Sequence, residues 1–210
     1  MSATGLRERK KQQTRTAIAQ QAEALFTARG FDRVTITEVA DAVGVSVKTV
    51  HNYFGSKEDL AFAHEDQVCA AWIHLVARRP ADTSPFDALI DHVIDSFRDD
   101  EVVDRSRTFR AMVDDSPALQ SRQRLVWDRL ELAFAEILAA ESGTIGAPDP
   151  TARFVGAQLA SIVRLVLAPD VQQWLQQVPA DHRAEAAATW LGRVRDLALH
   201  GAADRSPAST

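Results

Sequence analysis

Lys48, Thr49, His51 and Asn52 follow Val47 directly, inside the stretch TEVADAVGVSVKTVHNYFGSK from Thr37 to Lys57. Side chains of these types can meet the edges of nucleic-acid bases. Lysine donates to guanine, asparagine pairs with adenine, and threonine's methyl or valine suits the methyl of thymine. The stretch also holds seven apolar β-branched or aromatic residues and two glycines, so a few polar groups ride on an apolar scaffold, with a polar rim able to hold phosphates. Nothing comparable serves covalent chemistry. His64, His74, His92, His182 and His200 form no H-x-x-x-H or H-E-x-x-H pattern, and no G-x-S-x-G or phosphate-cradling glycine loop occurs. We expect no catalytic residue, no cofactor and no metal site.

The elements that must position this stretch are helical. Apolar residues recur at helical spacing throughout and no strand alternation stands out, so the fold class is all-α. From Lys10 to Arg29, Ile18, Ala22, Leu25 and Phe26 form one stripe that stops at Gly30. Thr35 with Glu38 has capping-box spacing, and the helix it opens ends at Gly44. Ser46 caps a third, short helix from Val47 to Tyr53. Two short helices around a glycine turn make a helix-turn-helix, whose second helix fits the major groove. Val39, Ala40, Val43, Val45, Val50 and Phe54 would hold the pair to the first helix. Val47, Lys48, Thr49, His51 and Asn52 would then face outward.

After Gly55-Ser56 a long fourth helix is expected from Lys57 to about Arg79. Proline punctuates the remainder: one helix over FDALIDHVIDSF, another from Ser116-Pro117 to about Glu141, a loop from Gly143 to Pro150, and a helix closed by Pro169. A last helix runs from about Asp181 to His200, and GAADRSPAST looks frayed. The expected organisation is a helix-turn-helix domain over 1–57, a helical domain over 58–201 and a flexible tail over 202–210.

Residues 1–57 carry nine Lys/Arg against five Asp/Glu, a net +4 within a chain whose total is −5. A basic head on an acidic body suggests that only the head meets an anion. The single cysteine, Cys69, fits a reducing compartment and excludes an intramolecular disulfide. The basic start has no apolar run behind it, and LASIVRLVLA is half the roughly 20 residues a spanning helix needs. The expectation is a cytoplasmic protein with no membrane partner.

Gly30-Phe31, Thr35, Val39-Ala40, Gly44-Val45-Ser46, Thr49-Val50, Tyr53-Phe54, Lys57 and Leu60 are spaced as in the tetracycline-repressor (TetR) family of bacterial transcriptional regulators, which the first sixty residues resemble. The resemblance implies that Thr35, Thr37, Thr49, Tyr53 and Lys57 hold the phosphates of a double-stranded operator. It places Val47, Lys48, Thr49 and His51 nearest the bases, with Ser46 at the start of that helix. His51 stands where the family usually has an aromatic residue, often tyrosine. Two residue-level alternatives stay open. The run Arg7 to Arg15 is either a solvated helix start or an arm along the DNA, and Lys57 is either a phosphate ligand or half of an exposed pair with Glu58 or Asp59.

Beyond residue 65 the resemblance is architectural. It implies a mostly apolar pocket for a small-molecule effector, and Trp72, His92, Phe97, Phe109, Met112, Trp127 and Phe134 are the candidate lining, each large apolar one also a candidate for plain core. Polar groups to orient a guest would come from His74, His92, Arg110 and Arg164. Within LASIVRLVLA and the residues before it, Ala157, Ala160, Arg164 and Ala168 share a small-residue stripe that would let a second copy approach. The last helix, with Trp190 and Val194, would supply the rest of a four-helix homodimer interface. The reading is a homodimeric, ligand-released repressor; its rival is a helical binding protein whose N-terminal module no longer reads DNA.

Overall fold

The computed structural model describes residues 3–143 and 148–200. The expected tail over 202–210 and most of the loop before Pro150 lie outside those residues. Every regular element described is helical, as the sequence predicts. The chain divides into two compact units: residues 1–68 with 108–126, and residues 69–107 with 127 onward.

In the first unit, α1 (Ala3–Arg29) buries Ile18, Ala22 and Phe26, which lie one turn apart on one face. Its exit is short: the Gly30 N–H reaches Phe26 O at 2.8 Å, and a 3-10 turn over Phe31–Arg33 leads to the next helix. α2 (Ile36–Val43), α3 (Val47–Tyr53), α4 (Lys57–Ala61) and α5 (Ala63–Arg78) follow. The fourth helix expected from the sequence is therefore two helices, parted at Phe62. No proline or glycine marks this break. Its cause is tertiary: the Phe62 ring is 1% exposed and stands edge-on to Phe109 with centroids 5.0 Å apart. Arg122, 9% exposed, pairs with Asp59 at 3.0 Å and Asp66 at 3.2 Å, one carboxylate from either side of the break. Its guanidinium also lies 5.1 Å from the centre of the Phe62 ring. Residues 108–126 thus belong with the head, through pairings the linear punctuation does not show.

α6 (Pro85–Ser96), α7 (Asp100–Asp114), α8 (Pro117–Ser142), α9 (Pro150–Val166), α10 (Pro169–Gln177) and α11 (Ala180–His200) complete the chain. The core of the second unit gathers Leu89, Ile90, Val93, Leu130, Phe134, Leu159, Ile162, Val163 and Leu191. At Gly156 the backbones of α8 and α9 nearly touch: an added Cβ would sit 2.8 Å from the Ala135 amide nitrogen and 3.0 Å from the Glu131 carbonyl. This close approach carries Ala160, one turn on, into the interior, where it is 0% exposed. Ala160 is not part of an outward stripe. The uncovered apolar side chains of α9 are Phe154, 65% exposed, and Leu165, 42% exposed. Ala157 is half-buried, and Arg164 reaches Glu131 of α8 at 3.3 Å.

Candidate nucleic-acid interface

α2 starts on a complete capping box. The Thr35 hydroxyl accepts from the Glu38 N–H at 3.2 Å, and the Glu38 carboxylate accepts from the Thr35 N–H at 2.8 Å. Arg29, from the end of α1, adds a contact to that carboxylate at 2.7 Å. Together these hold Glu38 down from an ordinary 4.5 to about 2, with the Thr35 backbone hydrogen bond the largest cause and the Arg29 contact next. The turn that follows needs a left-handed residue, and Gly44 supplies it at φ 74°. Its neighbour Val45 donates back to Ala40 O at 3.0 Å, closing the turn.

Ser46 caps α3 by accepting from the Thr49 N–H at 3.0 Å. Val50, at 1% exposed, and Phe54, at 3%, are the apolar anchors beneath it. Lys48, His51 and Asn52 are exposed, as is Val47, while Thr49 is half-buried. The Thr49 hydroxyl is engaged within the cap, its Oγ1 lying 2.8 Å from the Ser46 Oγ. Thr35 and Thr37 are exposed on α2. Tyr53 is half-buried at the end of α3.

Lys57 opens α4, behind the Ser56 cap. Its Nζ lies 4.1 Å from the centre of the Phe31 ring, which itself packs edge-on to Phe26. Asp59, one of the two expected rival partners beside Glu58, pairs with Arg122. Among the described contacts of Lys57 there is no carboxylate, so its ammonium is held at the rim with charge to spare.

Arg15 was legible in the sequence only as part of a basic run. In the structure it is half-buried, donates to Tyr53 O at 2.5 Å, and lies 4.2 Å from the centre of the Phe54 ring. No local sequence signal reveals a pairing that spans this much chain. Arg7, Arg9, Lys10 and Lys11, earlier on α1, remain exposed.

The candidate pocket residues are divided between the two units. Trp72 and Trp127 are half-buried at the margin of the second unit's core, whereas Phe97 and Phe134 are inside it. Phe109 and Met112 belong to the first unit, where Phe109 packs on Phe62. His74 and His92 are exposed, and Arg110 pairs with Asp114 at 3.5 Å. A groove of about 540 Å³ lies elsewhere, between α10 and α11, with Trp174, His182, Glu185, Thr189, Trp190 and Arg193 in its walls. No group of three or more metal-ligating side chains occurs among the described residues, and no single described helix is long and apolar enough to cross a membrane.

Residues 18–63 match the family of bacterial regulatory proteins named tetR. Over 191 residues the chain is 29% identical to the HTH-type transcriptional regulator TcmR of Streptomyces glaucescens, covering 88% of this chain and 83% of TcmR. Its fold is similar to that of NalD, the secondary repressor of the MexAB-OprM multidrug efflux pump in Pseudomonas aeruginosa. The TM-score is 0.58 at 20% identity, over 88% of this chain and 96% of NalD. SmeT in complex with triclosan is a further neighbour, with TM-score 0.51 at 18% identity, over 94% of this chain and 99% of SmeT. With its capped helix pair, its αL glycine turn and its outward polar face all inside the matched segment, residues 18–63 form a helix-turn-helix of the tetR family of bacterial regulatory proteins, the kind that DNA-binding transcriptional regulators carry.

Proposed function

We propose that the protein is a homodimeric repressor that grips a near-palindromic operator through α3 and lets go when a small apolar or amphipathic molecule binds its C-terminal unit. The observation that carries the reading is the face of α3. Val47, Lys48, His51 and Asn52 stand exposed on a helix capped at its start and anchored from below, in a segment of net charge +4 within an acidic chain. Base-reading residues ask for that presentation, and an electrostatic footprint confined to the head accompanies it.

The effector site in this reading borders Trp72 and Trp127, at the edge of the second unit's core. SmeT's complex with triclosan supports a small-molecule trigger, and the repressor role named for NalD supports repression. The uncovered Phe154 and Leu165 of α9, with Trp190 and Val194 of α11, form the proposed dimer face.

The test is reciprocal binding. All four tryptophans lie in the second unit, so tryptophan fluorescence reports ligand there without interference from the head. Hydrophobic compounds are titrated into the free protein and into the protein saturated with a duplex it has itself enriched from a randomised pool. A releasing ligand binds the DNA-bound form about 5–150-fold more weakly, which corresponds to a coupling of roughly 1–3 kcal/mol. Equal affinity in both titrations for every tight binder would remove ligand-controlled release from the account.

A further inference from the structure

We propose that Arg15 of α1 is a positioning residue for operator recognition, fixing the pitch of α3 without itself contacting DNA. The inference rests on the reading of α3 as the base-reading helix. α3 has seven residues, far below the about 12–15 an isolated helix needs to persist in water, so its orientation must be imposed from outside. Its Ser46 cap is local and turns with the helix. Val50 and Phe54 bury apolar surface, which holds the helix down but is non-directional.

Arg15 supplies direction. The last carbonyls of a helix lack partners within it. At the end of α3 the Phe54 N–H closes on Val50 O at 3.0 Å, and Tyr53 O is met by the Arg15 guanidinium at 2.5 Å. The same guanidinium covers the Phe54 ring at 4.2 Å, so one planar group holds two consecutive residues at the exit of α3. Its positive charge also faces the negative end of the α3 dipole.

Hydrogen bonds to base edges weaken steeply with misalignment, whereas a flexible lysine can follow a phosphate. Loosening α3 should therefore erode discrimination before it erodes non-specific affinity. Were Arg15 instead a phosphate ligand, its loss would weaken every duplex alike and lower the salt slope by about 0.9.

Arg15→Met and Arg15→Lys separate these roles in the full-length protein. Lysine keeps the charge but not the planar fork, so it preserves a phosphate contact and fails as a clamp. Affinity is measured for the duplex enriched by the wild type and for a random duplex, across a salt series, alongside hydrogen exchange of the α3 amides. The proposal expects both variants to lose about tenfold or more on the enriched duplex. It also expects random-duplex affinity and salt slope to stay at wild-type values, with faster exchange at Phe54 and unchanged exchange at Ala22. Equal losses on both duplexes with a reduced slope, wild-type discrimination, or unaltered α3 exchange would each overturn it. If Arg15→Met does not fold, Arg15→Lys decides the matter. If the wild type enriches no duplex, the operator reading fails, while exchange in Arg15→Lys still settles whether Arg15 holds α3.

Discussion

Lys48 and Lys57 carry the same charge in different surroundings, and the difference assigns their work. Lys48 is exposed on the outward face of α3, the helix proposed to enter the groove. Lys57 is steadied over the Phe31 ring at the start of α4, and we propose that it meets a phosphate there. Lys48→Ala should cost about 1–3 kcal/mol on the preferred site and flatten discrimination. Lys57→Ala should weaken all duplexes alike and lower the salt slope by about one. Competition binding on enriched and random duplexes checks both, and matching losses in the two variants would refute the assignment of Lys48 to the bases. Single residues were legible in the sequence where their role follows from their own turn of helix. Lys48, His51 and Asn52 could be placed outward from periodicity alone. Arg15 could not, because charge in a basic run does not say which carbonyl it will find. Nor could the engagement of the Thr49 hydroxyl by Ser46 be read from residue type.

At the scale of elements, local chemistry was again what the sequence disclosed. Thr35 with Glu38, Gly44, Ser46 and the buried faces of α1 and α3 are all found where spacing predicts them. Two helices went unread. α7 is charge-rich and offers no clean apolar stripe, and α10 begins at Pro169, a residue that ends one helix and serves equally as the first position of the next. The break at Phe62 depends on Phe109 and Arg122, so no window around it contains its cause. The α2 cap also carries a pH dependence of definite sign. Glu38 has its carboxyl lowered in the folded state, so its charge contributes stability above about pH 4.5, and that contribution is lost as pH falls toward 2. Glu38→Gln keeps an acceptor in the box but removes the charge. Thermal melts should show the variant less stable than wild type at neutral pH, with the gap closing between pH 4.5 and 2. Because Glu38 is at the surface, added salt should trim the part owed to Arg29 and spare the backbone part. A gap that is constant across that pH range would mean the charge on Glu38 does not matter to the cap.

For the molecule as a whole, the charge asymmetry and the all-helical class were legible from composition and periodicity, but the grouping of residues was not. Residues 108–126 join the head through Arg122 and through Ser116, whose hydroxyl donates to Asp32 at 3.1 Å. Ala160 turns inward because Gly156 lets two backbones meet, a consequence of packing that a helical wheel drawn for one helix cannot contain. The dimer face we propose therefore uses the exposed Phe154 and Leu165 instead of Ala160. A two-fold dimer presents two α3 helices to successive major grooves, about 34–36 Å apart or a multiple of that. The most direct measurement is enrichment of duplexes from a randomised pool by the full-length protein, read by sequencing over successive rounds. The account predicts a near-palindrome with half-sites separated by about 10–10.5 base pairs or a multiple, each half-site losing its preference in Lys48→Ala. A pool that stays random while the protein still binds DNA would contradict it.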